Sequence, residues 1–231
     1  MTAPAAALTR LLHLASTMLP VGAFSYSQGL EWAIESGQAG KAADASRWIT
    51  DALRHAVARF EAPLLVAALR AWKGGDDALA SECNVRFLAT RESAELLAET
   101  KQTGYSLRRW CRDAGALDAA WCARLDALAV PSYPVVYAAV AAAWDLPERD
   151  AVAVYLWSWL ENQVGAALKG VPLGQTDGQR ILLAAGPLVD ELAATCVERA
   201  NEPGLAWPTQ CPGLAIASSC HETQYSRLFR S

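Results

Sequence analysis

Apolar side chains recur along most of this chain at the spacing of an α-helix. The clearest run lies between residues 45 and 60, where apolar positions keep one face of about four turns apolar. Asp44 stands where a helix cap is expected, and Pro63 stands where the helix is expected to stop or restart. No stretch alternates apolar and polar residues with the period of two that a strand requires, and no internal repeat is evident.

Similar spacing defines further helical runs at residues 8–15, 64–72, 79–88, 94–112, 119–128, 135–144, 151–169 and 179–200. Glycines and prolines fall between these runs and separate one predicted helix from the next. We therefore predict an all-α, single-domain bundle of about nine or ten helices over residues 1–200. Residues 201–231 are rich in proline and glycine at their start, and we predict that they form a C-terminal arm outside the core.

The most apolar stretch, residues 127–144, carries no charge but is interrupted by Pro131 and Pro134. It leaves a helix of about 11 residues, or roughly 16 Å, whereas a bilayer core is ~30 Å thick. The first residues lack the basic and apolar regions of a signal peptide. The sequence thus predicts a soluble, cytoplasmic protein with no membrane partner.

Composition adds three constraints. Hydrophobic residues make up 53% of the chain, with nine Trp, which is more apolar surface than a monomeric core needs, so part of it is expected to face a partner. The net charge of −4 gives no attraction to nucleic acid. The six cysteines are far apart and form no CxxC pair, which favours reduced, mostly buried thiols over a disulfide framework.

No motif for catalysis is evident. The segment Gly37–Ala42 resembles a phosphate-binding loop, but it is too short and has alanine where serine or threonine is required, so we predict a turn. Cys220 and His221 are two adjacent metal-ligand types, which fix no geometry on their own, and we interpret them as an ordinary interface or tail pair. Carboxylates on the predicted helices are expected to be solvated charges: Glu31, Glu35, Glu95, Glu99 and Glu161. The sequence predicts a non-catalytic protein that binds no cofactor or metal of its own.

Three segments are unusual for a simple helical bundle. Residues 19–31 mix breakers, aromatics and hydroxyl residues, which suits either a packed turn or a partner surface. Residues 169–180 contain three glycines and two glutamines, with Thr176 or Asp177 able to cap the next helix, which suits a docking loop or a plain interhelical loop. Residues 221–231 combine Tyr, Phe, Leu and two Arg, types enriched in interfaces, and we expect this segment to order when it binds a partner.

In this order, the three segments resemble the signature of the urease accessory protein F family, and the match runs from about residue 11 to residue 231. Residues 19–31 resemble the family's LP-G-F-S-S-GLE pattern, residues 167–182 (ALKGVPLGQTDGQRIL) resemble a second block of the family, and residues 220–231 resemble its HE-QY-RLFRS ending. The resemblance implies an all-α homodimer that binds an accessory scaffold protein of the D or H type. Through that scaffold it implies contact with an accessory GTPase and apo-urease, with nickel as the cargo of the assembled complex.

The resemblance also implies partner-binding roles for three groups of residues. The C-terminal group is His221, Glu222, Tyr225, Ser226, Arg227, Leu228, Phe229, Arg230 and Ser231. The second group, facing the GTPase or forming the dimer, is Lys169, Pro172, Leu173, Gly174, Gln175, Gly178 and Gln179. The third group, either partner-binding or structural, is Ser25, Tyr26, Gly29 and Glu31. The alternatives are a helical adaptor unrelated to metals and an enzyme whose site converges only in three dimensions.

Overall fold

The computed structural model describes residues 5–205 and 207–231, which contain eleven α-helices and no strand. The helices are α1 Ala5–Ala15, α2 Leu30–Glu35, α3 Ala42–Ala52, α4 Ala62–Gly74, α5 Asp77–Ala89, α6 Ala94–Asp113, α7 Ala119–Asp126, α8 Tyr133–Ala143, α9 Glu148–Gly170, α10 Gln175–Arg199 and α11 Pro212–His221. Short 3₁₀ turns lie at Ala23–Ser25 and Pro203–Leu205. The all-α prediction is confirmed.

The centre of the bundle is formed by helices that are apolar on nearly every side. In α8 each residue from 134 to 142 is buried, and α4 is buried along most of its length. A helix that is apolar all round has to be enclosed by others. Here α4 packs on α8, and α5, α6, α9 and α10 surround this pair. The sequence had predicted that the prolines near 131–134 would leave a helix of about 11 residues, and α8 has 11.

Pro63 does not end the helix that precedes it. The chain continues from α3 through a π-helical segment, Leu53–Glu61, directly into α4, so that one unbroken rod runs from residue 42 to residue 74. Proline has no N–H, and its ring crowds the carbonyl four residues earlier, so the turn before it widens instead of closing normally. If α3, the π-helical segment and α4 are counted as one continuous helix, the described residues contain ten helices, in agreement with the nine or ten predicted.

The predicted cap of α3 was also wrong. The N-cap is Lys41, and Asp44 lies inside the first turn, where it pairs with Arg47. An acidic side chain in the first turn still favours the helix through the dipole of the peptide groups. The glycine-rich segment that follows α2 is the predicted turn, with Gly37 in the left-handed region at φ 82°.

All six cysteines are free thiols, and Cys83, Cys111 and Cys196 are buried. Burial raises the pKa of each of these three thiols to about 12, so they remain protonated and packed as small apolar groups. Among the described residues, no helix is both long and apolar enough to span a membrane.

The segment after Asn201 is not a free arm. Its side chains at Trp207, Ala217, His221, Phe229 and Ser231 are buried against the rest of the bundle. The segment therefore packs on the bundle in this structure, while the expectation that it orders when it binds a partner stays a prediction. The boundary between residues 200 and 201 and the partner-binding role of the segment stay predictions.

Gly104, on α6, allows two backbones to touch. A Cβ at this position would lie 2.3 Å from the Pro131 carbonyl oxygen and 2.8 Å from the Ser132 carbonyl carbon. We expect Gly104→Ala to lower the free energy of unfolding by about 1–3 kcal/mol, because neither backbone can move without disturbing α8. Urea unfolding measures this change.

Gly165→Ala, in α9, is the matched control, because an added Cβ there meets no atom within 4 Å. We expect it to stabilise the protein by about 0.5–1 kcal/mol, as alanine does in an open helical position. Equal destabilisation by both changes would contradict the close-contact explanation for Gly104.

Candidate functional site

The first and third unusual segments, far apart in sequence, lie against each other in the structure. Gln28 and Gly29 both adopt positive φ, 53° and 82°, and they turn the chain into α2. A Cβ on Gly29 would lie 2.9 Å from the Ser218 backbone nitrogen, so only glycine lets α11 approach α2 this closely. The Ser218 hydroxyl also lies 2.6 Å from the hydroxyl of Ser93, the N-cap of α6. Helices α2, α6 and α11 therefore meet at one place.

Glu31, on α2, binds two successive backbone amides of the C-terminal segment, residues 222–231. Its Oε1 accepts from the Leu228 N–H at 2.6 Å, and its Oε2 accepts from the Phe229 N–H at 3.0 Å. Only 8% of Glu31 is exposed. Hydrogen bonds from amides to a buried carboxylate are charge-assisted and stronger than bonds between neutral groups. This contact joins residues 197 positions apart in the sequence.

His221, at the end of α11, is fully buried between two carboxylates. Its Nε2 lies 3.0 Å from Glu31 Oε2, and its Nδ1 lies 2.6 Å from Glu95 Oε2 on α6. Arg227 donates to the other oxygen of Glu95 at 2.6 Å. We refer to Glu31, His221, Glu95 and Arg227 as the Glu31 network.

One turn further along α6, Glu99 binds a second part of the same segment. Its two oxygens accept from Gln28 Nε2 at 2.7 Å and from the Ser231 hydroxyl at 2.9 Å. The Gln28 carbonyl in turn accepts from the indole N–H of Trp159 at 2.8 Å. Burial raises the pKa of Glu99 to about 7, although the hydrogen bonds from Gln28 and Ser231 oppose the shift.

Backbone groups complete the attachment of the segment. The Ser231 carbonyl oxygen accepts from the Ser27 N–H at 2.6 Å, from the Gln28 N–H at 3.0 Å and from the Ser27 hydroxyl at 2.6 Å. The Arg230 N–H donates to the Ser25 carbonyl at 2.9 Å. Because the C-terminal segment has no regular secondary structure, these bonds and those to Glu31 satisfy groups that a helix would otherwise pair.

The second unusual segment begins at the same place. Lys169 lies with its ammonium group 5.2 Å from the centre of the Phe229 ring, a cation–π contact at the end of α9. The next residue, Gly170, is packed against Ile34 of α2, where a Cβ would lie 2.8 Å from Ile34 Cδ1. All three segments therefore meet where α2, α9 and α11 come together.

Beyond this junction, the second segment becomes a tight connection into α10. Gly174 is the N-cap, and its N–H donates to the Asp177 carboxylate at 3.3 Å. Asp177 therefore does cap α10, as predicted, but from inside the first turn. Gly178 packs on Leu168, since a Cβ there would lie 3.1 Å from its Cδ1.

The predicted site residues divide by exposure into two groups. Those exposed at the surface are Glu222, Tyr225, Ser226, Arg227, Leu228, Arg230, Lys169, Pro172, Gly174, Gln175 and Gln179, with Ser25 and Leu173 partly exposed. Those buried are His221, Phe229, Ser231, Gly178, Tyr26, Gly29 and Glu31. A buried side chain holds the segments together, and only an exposed one can meet a partner directly.

The prediction that the helical carboxylates are solvated is wrong for three of the five. Glu35 is exposed as expected, but Glu31, Glu95 and Glu99 are buried or nearly so. A signal for Glu99 was present in the sequence, because it lies three residues after Leu96 and eight before Leu107. Both leucines are buried, so Glu99 falls on the apolar face of α6. Gln28, which was not singled out, could not have been recognised from the periodicity.

Neither ring nitrogen of His221 is available to a metal bound by Cys220, because both face carboxylates. Within residues 5–205 and 207–231, no group of three or more His, Cys, Asp or Glu side chains is arranged to hold a metal ion.

The raised pKa of Glu99 predicts a pH-dependent stability. In the folded chain Glu99 keeps its proton at pH values where the unfolded chain has lost it, so its contribution is full below its usual pKa of 4.5 and is lost as the pH rises through about 7. Gln cannot ionise, so Glu99→Gln should gain stability relative to the unaltered chain between pH 5 and pH 8. An upper bound is about 3 kcal/mol, since each pKa unit corresponds to about 1.4 kcal/mol.

Urea unfolding of both proteins at about pH 5 and about pH 8 gives this difference directly, because the other titrating groups largely cancel. The same difference at both pH values would show that Glu99 does not titrate in this range.

Comparison with known proteins agrees with the resemblance of the three segments. The family model UreF matches residues 40–186. The urease accessory protein UreF of Azoarcus sp. (strain BH72) is 55% identical over 228 residues, which cover 97% of this chain and 95% of that protein. The urease accessory protein UreF of Dechloromonas aromatica (strain RCB) is 51% identical over 226 residues, covering 97% of each chain.

A third relative has a different organisation. The bifunctional urease accessory protein UreEF of Bordetella bronchiseptica is 46% identical over 224 residues, which cover 97% of this chain but only 52% of that protein. The matched region thus occurs both as a separate chain and as one half of a longer one. Because the family model covers more than half of the sequence and the relatives cover nearly all of it, the chain belongs to the UreF family.

Proposed function

We propose that this chain is a non-catalytic assembly factor in urease maturation. In this proposal it docks a D/H-type accessory scaffold through its C-terminal segment and holds an accessory GTPase near the connection between α9 and α10. Nickel passes to apo-urease as the cargo of the assembled complex, and two copies of the chain act together. Membership of the UreF family supports the urease context. The observation that carries the docking proposal is the exposure of Tyr225 and Leu228 on a segment that is otherwise held by buried contacts.

Tyr225 is fully exposed, and 71% of Leu228 is exposed. Large apolar and aromatic side chains of this kind are the usual centres of binding energy in protein interfaces. Their neighbours Phe229 and Ser231 are buried, so the segment has a fixed side and a free side. This division supports a docking function better than a uniformly solvated tail would.

The connection between α9 and α10 supports the second contact. It joins the two longest helices, which pack on each other, and the Asp177 cap gives it a defined shape. Pro172, Gly174, Gln175 and Gln179 are exposed there. Exposed amide side chains on the first two turns of α10, beside this capped connection, offer hydrogen-bonding groups to a protein surface. The UreEF relative supports the proposal that this chain acts together with another accessory protein, because the UreEF polypeptide contains a second part beside the matched region.

Substitution of exposed residues tests the docking proposal more cleanly than deletion of the segment, because deletion would also remove the buried Phe229. We expect Tyr225→Ala combined with Leu228→Ala to weaken capture of a purified D/H-type scaffold by about tenfold or more. Circular dichroism should be unchanged, since neither side chain packs in the core. A direct binding measurement with the full chain gives the affinity.

Leu183→Ala is the matched control, because Leu183 is an exposed leucine on α10, 77% accessible, outside the three segments. We expect it to leave scaffold affinity unchanged. Full affinity of the Tyr225/Leu228 variant would remove the C-terminal segment from the interface.

The loop contact needs a separate test, and Lys169 is a poor choice because it also touches Phe229. We expect Gln175→Ala combined with Gln179→Ala to reduce retention of the GTPase and nickel-dependent urease activation, while scaffold affinity stays the same. Co-purification with all components, followed by a urease assay, measures both effects. Normal GTPase retention by this variant would exclude these two side chains from the GTPase contact.

A further inference from the structure

A groove of about 470 Å³ lies on the outside of the bundle, beside the second half of α6 and the turn that follows α1. It is separate from the Glu31 network, which contacts α6 near its start, at Glu95. Most of its lining residues share one side of α6, because they recur at helical spacing. They are Gln102, Tyr105, Ser106, Arg109, Trp110 and Asp113, and Ala114 and Pro20 complete the lining. We refer to this feature as the α6 groove.

The aromatic rings of the α6 groove are held in fixed positions. The centre of the Trp110 ring lies 5.3 Å from that of His13 and 6.1 Å from that of Trp144. The Trp144 indole is itself fixed, because its N–H donates to a backbone carbonyl at 3.0 Å. The Arg108 guanidinium lies 6.0 Å from the centre of the Tyr105 ring, and 50% of Tyr105 is exposed. A ligand can therefore reach an aromatic surface that needs little ordering on binding.

The lining of the α6 groove carries no net charge. Among its described residues the one cation is Arg109, which donates to the one anion, Asp113, at 2.9 Å. A phosphate, an acidic peptide or a basic peptide would find no unpaired charge of opposite sign there. Charge complementarity therefore favours an uncharged ligand.

The α6 groove also offers hydrogen-bond donors. Four indole N–H groups elsewhere donate to acceptors of the chain, those of Trp72, Trp144, Trp159 and Trp207. The Trp110 indole N–H has no such acceptor within residues 5–205 and 207–231. The exposed side-chain amide of Gln102 makes one long hydrogen bond, of 3.3 Å, to the Ser106 hydroxyl. A ligand with unused carbonyl oxygens can accept from both groups.

An extended strand in the polyproline II conformation meets all of these requirements. It has no internal hydrogen bonds, so its carbonyl groups are free to accept, and its proline rings pack on aromatic side chains. The stripe from Gln102 to Asp113 is roughly 16 Å long, which a strand of about five residues covers at ~3.1 Å per residue. An amphipathic helix fits less well, because it needs a continuous apolar channel, whereas polar side chains separate the two rings here.

We propose that the α6 groove is a docking site for a proline-rich segment of a partner protein, bound as an uncharged polyproline II strand. Tyr105 and Trp110 supply the surfaces for its proline rings. The Trp110 indole and the Gln102 amide donate to its carbonyl oxygens. This site lies outside the C-terminal segment and the connection between α9 and α10, so it adds a further contact and does not rest on the proposed function.

Decaproline is the probe, because it adopts the polyproline II conformation in water. In NMR spectra of the isotope-labelled full chain each tryptophan gives one indole N–H signal, and Trp110→Phe identifies that of Trp110. We expect decaproline to shift this signal with a dissociation constant on the order of 0.1–1 mM. A glycine–serine peptide of the same length, which is uncharged but flexible, should leave it in place. No shift with decaproline, or an equal shift with the glycine–serine peptide, would overturn the proposal.

Tyr105→Ala removes one ring and keeps the Trp110 signal as the readout. We expect about tenfold weaker binding of decaproline, with an unchanged circular dichroism spectrum. Tyr225→Ala is the matched control, because Tyr225 is a fully exposed tyrosine outside the α6 groove, and it should bind decaproline normally. Gln102→Ala removes one donor and should weaken binding by about threefold, which carries the test if Tyr105→Ala fails to fold. Unchanged affinity in whichever of these two groove variants folds would contradict the proposal.

A second copy of this chain is the main rival occupant of the α6 groove. In that case the Trp110 signal would move with protein concentration in the absence of any peptide, in step with the molecular mass measured by sedimentation. Decaproline would then compete with self-association instead of binding a free surface. That result would overturn the proposal in favour of a contact between copies.

Discussion

A buried carboxylate requires hydrogen-bond donors, and the donors to Glu31 are backbone N–H groups of the C-terminal segment. Its oxygens accept from two backbone amides, and its Oε2 lies 3.0 Å from His221 Nε2; all these groups belong to residues more than 180 positions away in sequence. A buried charge without partners would cost several kcal/mol. The position of α11 and of the ten residues after it is therefore tied to α2, and Gly29 provides the close approach that this requires. This interaction joins the first and third unusual segments, and the contacts of Lys169 with Phe229 and of Gly170 with Ile34 bring the second segment against them.

The helical framework could be predicted from the sequence because it is governed by local periodicity. The long runs that became α6, α9 and α10 were placed to within a few residues of their observed ends. Pro63 shows the limit of local rules. Proline usually breaks a helix, yet the buried faces on both sides of it, from Ile49 to Leu69, hold the rod together, and the chain accommodates the ring with a π-helical segment. Tertiary packing therefore keeps the helix continuous at Pro63, which the helix propensity of proline alone would not predict.

The candidate site was only partly predictable, for a different reason. The three segments were recognisable by composition and by resemblance, but their mutual contacts were not. Glu95 is covered where His221 and Arg227 bind it, whereas Glu99 lies on the same apolar face of α6 as Leu96 and Leu107. The C-terminal segment has no hydrophobic periodicity after residue 221, and what holds it is a set of backbone bonds to distant side chains. Such bonds leave no pattern in a single sequence, so the packing of this segment against the bundle could not be predicted.

Residues of one sequence motif can therefore have different roles, some in packing and others in contact with a partner. In the C-terminal motif, His221, Phe229 and Ser231 are buried and build the segment, whereas Tyr225, Leu228 and Arg230 are exposed. Substitution of a buried residue should change the position of the segment's exposed surface. Substitution of an exposed residue should change the groups that this surface offers to a partner. The first set should therefore act through geometry, and its effects on binding should depend on the second set being present. This dependence follows from the orientation fixed at Glu31, and it would not arise if the segment were flexible, because each side chain would then contribute to binding on its own.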